Sequence, residues 1–283
     1  MIIDGKKIAQ ELCDKLAKEV KALSVQPLLC DVVVGNDPVS LQYVNVKKKK
    51  AEENGFAFKA IVLPEESTTE EVVRAAKEAN MLPNMSGLIV QLPLPAHIDR
   101  AQVTEAIDPK FDVDCLTEKN SKAFYNNEDS FAFPTALACM KLLESTGVAL
   151  AGKHVVIVGE GELVGLPVKA LLARRTISAT SINSSTENKA ELIKNADVLI
   201  SATGAPKSIT GDMIQEGVLI IDAGTAESNS GPTNGRASIV GDVDFESVKD
   251  KVSFIAKVPG GVGPVTVSML LSNVLDSYKK NHV

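Results

Sequence analysis

The sequence predicts an α/β fold in two domains: an N-terminal α/β catalytic domain and a Rossmann-type doubly wound domain, with the C-terminal helix returning to the first. Three observations predict it. Helical and strand-like segments alternate along nearly all of the 283 residues. The turn Gly159-Glu160-Gly161-Glu162-Leu163-Val164-Gly165 follows an apolar strand and opens a helix. The length is about twice that of a typical domain.

The elements follow in order. Residues 4–23 carry Ile8, Leu12, Leu16, Val20 and Leu23 at helical spacing. The apolar run 28–34 reads as a strand ending at Gly35-Asn36-Asp37-Pro38. A helix is expected at 40–54 and a strand at 56–63. The sequence Thr68-Thr69-Glu70-Glu71 then starts a capped helix reaching residue 80. The strand 87–91 is halted by Pro93 and Pro95. Residues 108–132 read as polar loop, and 135–146 as a helix with Gly147 at its C-terminal cap. A second unit follows: strand 154–158, helix 163–175, strand 179–182, helix 187–195, strands 198–201 and 218–222, and a further strand at 254–257. The last helix, 266–280, comes after Pro259-Gly260-Gly261-Val262-Gly263-Pro264. The expected domains are residues 1–140 with 265–283, and residues 141–264.

Composition narrows the function classes. A net charge of −6 disfavours a general nucleic-acid or membrane-surface binder. No apolar run approaches the length of a membrane span, and the N-terminus has no signal-peptide layout, so the cytoplasm is the expected location. Cys13, Cys30, Cys115 and Cys139 are not at metal or redox spacing, and His97, His154 and His282 are scattered. No metal site and no Ser-His-Asp triad are expected.

The candidate chemistry lies elsewhere. In the glycine turn, Gly159 permits a tight bend, Gly161 lets backbone approach a pyrophosphate, and Val164 and Gly165 open the helix whose amides face the anion. The strand at 179–182 leads to Ser184, which suits a ribose hydroxyl or a 2′-phosphate, whereas Glu160 would repel that phosphate if it points inward. Cofactor preference therefore stays open on these residues. Ser40, Tyr43 and Lys47 share one helix face, and Lys47 lacks the glutamate four residues on that Lys48 and Lys49 have. Lys48 to Lys50 read as a solvated face; Lys47 reads as an acid or base in a partly dry pocket. Gln91 ends a buried strand, where ligands of open α/β sheets gather, and Pro93 holds the next loop extended. Asp112 and Asp114 could cap a helix or hold a ligand's amine edge. The Pro259–Pro264 turn either cradles an anion or simply reverses the chain.

These segments together resemble the bifunctional methylenetetrahydrofolate dehydrogenase/cyclohydrolase family. The text that carries the resemblance is VGNDPVSLQYVNVKKKKAEENG, GLIVQLPLP, DPKFDVDC, HVVIVGEGELVGLP, GDVDF and VPGGVGPVTVSMLLSN, in the family's order across nearly the whole chain. The resemblance implies a catalytic domain, a Rossmann domain and a folate cleft between them, in a homodimer. It implies oxidation of 5,10-methylenetetrahydrofolate with a nicotinamide, followed by hydrolysis of the methenyl cation to 10-formyltetrahydrofolate. Lys47 is then the main acid/base and water-activating group. Tyr43 helps place it, Gln91 tunes it, and Asp114 holds the polar edge of the pterin. Ser40, Leu92, Pro93, Gly260, Gly261 and Pro264 join Tyr43 and Asp114 around the folate. Thr203, Gly204 and Thr225 join Gly159, Glu160, Gly161, Val164, Gly165 and Ser184 around the cofactor, NADP by family. Glu160 stands where the family usually has the arginine that holds the 2′-phosphate, so NAD is the alternative. Cys115 and Phe133-Pro134-Thr135-Ala136 also depart from the usual pattern. The rivals are a homologue that keeps one activity and one that binds without turnover.

Overall fold

The computed structural model describes residues 1–227 and 239–282. The chain divides into two compact units. One comprises Glu11–Pro134 and the residues from Val267 onward; the other comprises Met1–Gln10 and Thr135–Thr266.

In chain order, the elements up to the third strand are α1 (Gly5–Lys21), β1 (Leu28–Val34), α2 (Pro38–Glu53), β2 (Ala57–Leu63), α3 (Thr69–Ala79) and β3 (Met85–Val90). The three strands form a parallel sheet of order β2-β1-β3. Apolar side chains alternate across the central strand. Cys30, Val32 and Val34 pack with Val72 and Ala76 of α3 on one face. Leu29 packs with Leu16, Ala51, Ile89, Leu271 and Leu275 on the other. The predicted capping box is present, with Thr68 and Glu71 exchanging side-chain-to-backbone bonds. Helix α2 starts two residues earlier than expected because Asp37 caps it by accepting from the Ser40 amide at 2.7 Å, with Pro38 as first helical residue.

Residues 108–132, expected as loop, contain a helix. After α4 (Arg100–Thr104) comes α5 (Glu118–Tyr125), capped by Thr117. Both are short and present few apolar residues to mark a period. Next is α6 (Pro134–Ser145), and the second unit's strands begin with β4 (Val155–Val158).

That unit continues with α7 (Gly165–Arg174), β5 (Ala179–Ile182), α8 (Lys189–Lys194), β6 (Val198–Ser201), β7 (Leu219–Asp222), β8 (Ala226–Glu227), β9 (Ile239–Val240), α9 (Phe245–Val248) and β10 (Phe254–Ala256). The parallel sheet has the order β10-β7-β6-β4-β5. Its strand order reverses beside β4, the place where a doubly wound sheet opens a crevice for a ligand. Residues 1–10, expected in the catalytic domain, group by contact with the second unit. The chain start lies along β10, with the Ile3 amide donating to Ile255 at 2.8 Å and the Ile255 amide to Met1 at 2.9 Å. The last helix, α10 (Val262–His282), begins earlier than residue 266, since Pro264 lies in its first turn where no amide is needed. From Val267 onward α10 packs against the first unit: Asn273 donates to the carbonyls of Val113 and Ala132, each at 2.8 Å.

Candidate active site

Backbone periodicity builds a polar layer on top of an apolar one. Leu29 of β1, Ile89 of β3 and Ala51 of α2 share one core. Two residues on along β1 and β3, and one turn back along α2, the same faces carry Asp31, Gln91 and Lys47. The three meet. The Lys47 ε-nitrogen lies 2.6 Å from Asp31 Oδ2 and donates to Gln91 Oε1 at 2.8 Å. Gln91 is held in turn by donating Nε2 to the Leu92 carbonyl at 2.6 Å, just before the cis Leu92–Pro93 bond. Lys47 is 9% exposed and Asp31 is 0% exposed. Their contact is a close ion pair rather than an aligned hydrogen bond, and neither Asp31 oxygen has an aligned donor among the described residues. Burial pushes the Asp31 carboxyl up, opposed by the charge of Lys47.

Ser40 and Tyr43 lie on the same helix as Lys47, Ser40 buried and Tyr43 half-buried. Lys48 and Lys49 are exposed, and Lys49 and Lys50 pair with Glu53. Asp114 still reaches solvent but is crowded closely enough that desolvation pushes its carboxyl up to about 6, against the pull of Lys47. Asp112 is used differently. It is buried and accepts from the amides of Leu116 and Thr117, from Thr117 Oγ1 and from Asn120, which fixes the turn into α5. Cys115 takes the left-handed conformation with φ of 61°.

The residues of the second unit fit a dinucleotide. Gly159 has φ of 105°, and a β-carbon there would overlap the Ala202 carbonyl; one at Gly165 would overlap the Gly159 carbonyl. Gly161 opens onto free space, and Val164 precedes α7 without a side-chain cap on the helix amides. These are the tight bend, the approach surface and the anion-facing helix end that a pyrophosphate needs. Thr203, Gly204 and Thr225 follow β6 and β7 at the same end of the sheet and are exposed. Glu160 reaches the end of β5, where its carboxylate accepts from Ser181 Oγ at 2.5 Å and Asn183 Nδ2 at 2.6 Å. Ser184, next along the chain, is exposed. Gly260, Gly261 and Pro264 fall in this unit. A β-carbon at Gly261 would stand 2.7 Å from the Lys257 carbonyl, so tight packing of the turn already accounts for that glycine.

Some groups lay outside the sequence reading. Asp31 was signalled by an acid inside the apolar run LLCDVVV, which demands a buried partner. Asn183 and Ser181, which anchor Glu160, carried no such signal. Nor did Asp222 and Asp242. Asp222 accepts from three amides and Asp242 Oδ2 from Ser201 Oγ and the Thr203 amide, while Asp242 Oδ1 is buried without a hydrogen-bond partner among the described residues.

The two units thus have the make-up of a dinucleotide-binding enzyme with a separate catalytic sheet. Comparison with known proteins specifies it. The tetrahydrofolate dehydrogenase/cyclohydrolase catalytic domain matches residues 3–114, and the NAD(P)-binding domain of the same family matches residues 134–282. The bifunctional protein FolD of Bacillus pumilus is 42% identical over 282 residues, spanning 99% of this chain and 98% of that protein. The bifunctional enzyme FolD from Campylobacter jejuni superposes with a TM-score of 0.91 at 33% identity, covering 99% of each chain. The Trypanosoma brucei enzyme, solved with NADP cofactor and inhibitor, has a TM-score of 0.93 at 35% identity, covering 99% of this chain and 97% of that one. The chain belongs to the tetrahydrofolate dehydrogenase/cyclohydrolase family.

Proposed function

We propose that the protein oxidises 5,10-methylenetetrahydrofolate to the methenyl form with a nicotinamide dinucleotide and hydrolyses the methenyl form to 10-formyltetrahydrofolate. The observation that carries the hydrolytic part is the ε-nitrogen of Lys47, buried between Asp31 Oδ2 and Gln91 Oε1. An amine so placed accepts a proton from water as water adds to the methenyl carbon. Gln91, locked by the Leu92 carbonyl, presents its acceptor to that nitrogen. Tyr43 and Ser40 on the same helix, Asp114 beside it, and Leu92 and Pro93 after the strand line the folate in this reading, with Gly260, Gly261 and Pro264 contributing from their turn.

Gly159, Gly161, Val164 and Gly165 would hold the cofactor's pyrophosphate, with Thr203, Gly204 and Thr225 toward its nicotinamide and Glu160 and Ser184 toward its ribose. When bound, the nicotinamide supplies the hydride acceptor; the protein supplies placement and electrostatics. NADP, present in the Trypanosoma brucei relative, is the cofactor of this reading. One observation favours NAD as a second reading. The Glu160 carboxylate is fixed at the end of β5 by Ser181 and Asn183, where an acid accepts from a free ribose hydroxyl and repels a phosphate. The reading includes a cytoplasmic homodimer without a nucleic-acid partner, the last supported by the net charge of −6.

The test is optical. Purified protein is mixed with methylenetetrahydrofolate and either NADP or NAD, and methenyl formation and decay are followed. Turnover with decay faster than the uncatalysed rate supports both activities. Formation without accelerated decay leaves a dehydrogenase alone, and no formation with either dinucleotide contradicts the reading.

A further inference from the structure

We infer that Asp31 is a positioning residue for the hydrolytic step: its carboxylate is the built-in counter-charge of Lys47 and the acceptor for that lysine's proton. The inference rests on the functional reading above and deepens it.

The geometry carries it. Asp31 sits in the middle strand of its sheet, flanked by β2 and β3, and is wholly buried. Its side chain cannot reach water without leaving the strand's covered face. With no aligned donor on either oxygen among the described residues, its charge is answered by the ammonium 2.6 Å away. An isolated buried carboxylate of this kind is costly. Lys47 is tied on its other side to Gln91, which is neutral. The titratable groups around the pair are Asp114, which feels Lys47, Asp112 and Asp31, and the neutral Cys30 thiol, pushed up to about 12 by burial and by Asp31 against the charge of Lys59.

The chemistry explains why a counter-charge is useful. The methenyl substrate is a cation, and a bare ammonium beside it would repel it. The Lys47–Asp31 pair has no net charge, so the cation approaches unopposed. The proton also has somewhere to go. The ammonium passes one proton to Asp31, which leaves an amine beside a carboxylic acid and no change in net charge. As the water oxygen bonds to the methenyl carbon, the C=N electron pair moves to nitrogen and the amine takes the water's proton. The ammonium then protonates the folate nitrogen whose bond to that carbon breaks. The hydroxyl proton passes to the lysine as the carbonyl forms, and one proton leaves to solvent. Methenyl cation plus water is thereby balanced by formyl product plus one proton.

The full-length protein and its Asp31→Asn and Asp31→Glu variants test this, with methenyl hydrolysis and methylene oxidation measured against pH. The wild type should hold its hydrolytic kcat nearly level across neutral pH, because the proton moves within the pair. In Asp31→Asn, hydrolytic kcat near neutrality should fall by roughly 10–100-fold and climb as pH rises, because the proton must now leave to solvent. KM for the methylene substrate, uncharged at the reacting carbon, should stay within about twofold. Asp31→Glu should restore part of the rate and the level profile. Asp31→Val gives the same test should the asparagine variant unfold. Wild-type rate and profile in both Asp31→Asn and Asp31→Val would overturn the inference. So would an equal loss of both activities at every pH with no rescue by glutamate, which is what a merely structural role gives. A wild type that does not hydrolyse methenyltetrahydrofolate removes the functional reading itself, a result separate from any change among the variants.

Discussion

Lys47 and Asp31 fix each other's worth. From the sequence, Lys47→Met is expected to remove hydrolysis and leave the fold alone. The ion pair changes the second half of that expectation. Methionine would leave Asp31 buried without its cation, which costs about 3–5 kcal/mol near neutral pH. The cost should shrink as pH falls and Asp31 takes up a proton, so the urea midpoint of Lys47→Met should approach that of the wild type in acid. A variant as stable as the wild type at pH 7 would show that Asp31 has found another partner. Replacing both members, as Lys47→Met with Asp31→Val, should recover stability while leaving the site inert. Glu160 is the other decisive residue. Its carboxylate stands at the end of β5, where the proposed reading puts the ribose, anchored by Ser181 and Asn183. Glu160→Arg should raise the NADP-to-NAD ratio of kcat/KM by on the order of 10–100-fold, by replacing a repulsion with a charge-assisted contact. An unchanged ratio in paired assays would mean that the ribose lies away from this side chain.

At the scale of elements, the parallel strands deliver function from their C-terminal ends. In the first sheet the groups are Gln91, just past the end of β3, and Asp31, in the middle of β1, with Lys47 brought over them by α2. In the second they are Gly159, Thr203 and Thr225. The turn from β4 into α7 tolerates no side chain at Gly165, since a β-carbon would overlap the Gly159 carbonyl. Gly165→Ala should therefore cost about 1–3 kcal/mol by overpacking. It should also raise KM for the dinucleotide more than KM for the folate, because it moves the loop to which the proposed reading assigns the pyrophosphate. Equal KM changes for both substrates would place the effect elsewhere. Much of this was legible beforehand. The glycine turn announced its strand and helix because backbone constraints leave few alternatives. Ser40, Tyr43 and Lys47 announced their shared face by spacing alone. Helices α4 and α5 were not legible, because five and eight residues give too few apolar positions to define a period. The pairing of Asp31 with Lys47 was not legible either. An acid inside an apolar strand says that a partner exists, but only the packing of α2 over β1 says which.

Across the whole molecule, buried carboxyls shape stability. Burial pushes Asp114 up to about 6 and Asp222 to about 7. Such groups bind protons in the folded state at pH values where the unfolded chain, with aspartates near about 4, has released them. Their contribution is fully present in acid below that value and is lost as pH rises toward about 7. The exposed acids whose carboxyls are lowered, such as Glu53 and Glu118, act in the opposite sense but through solvent-screened contacts of little weight. The urea midpoint should therefore decline from mildly acid to neutral pH. Asp222→Asn should flatten that decline, because an amide at this position does not titrate. A midpoint that rises over the same range would contradict the raised carboxyls of Asp114 and Asp222. The reach of the sequence was uneven here too. The residues of the two sheets and the family's segments could be read directly, whereas Met1, Ile2 and Ile3 gave no sign of running along β10. Backbone pairing to a strand some 250 residues away leaves no local pattern.

The most direct measurement is the rate of methenyltetrahydrofolate hydrolysis by Lys47→Met carrying Asp31→Val, with folding verified by its urea midpoint. Decay at the uncatalysed rate is the result that follows from a buried, charge-paired lysine as the water-activating group. Hydrolysis close to the wild-type rate would contradict it and move the chemistry to another side chain.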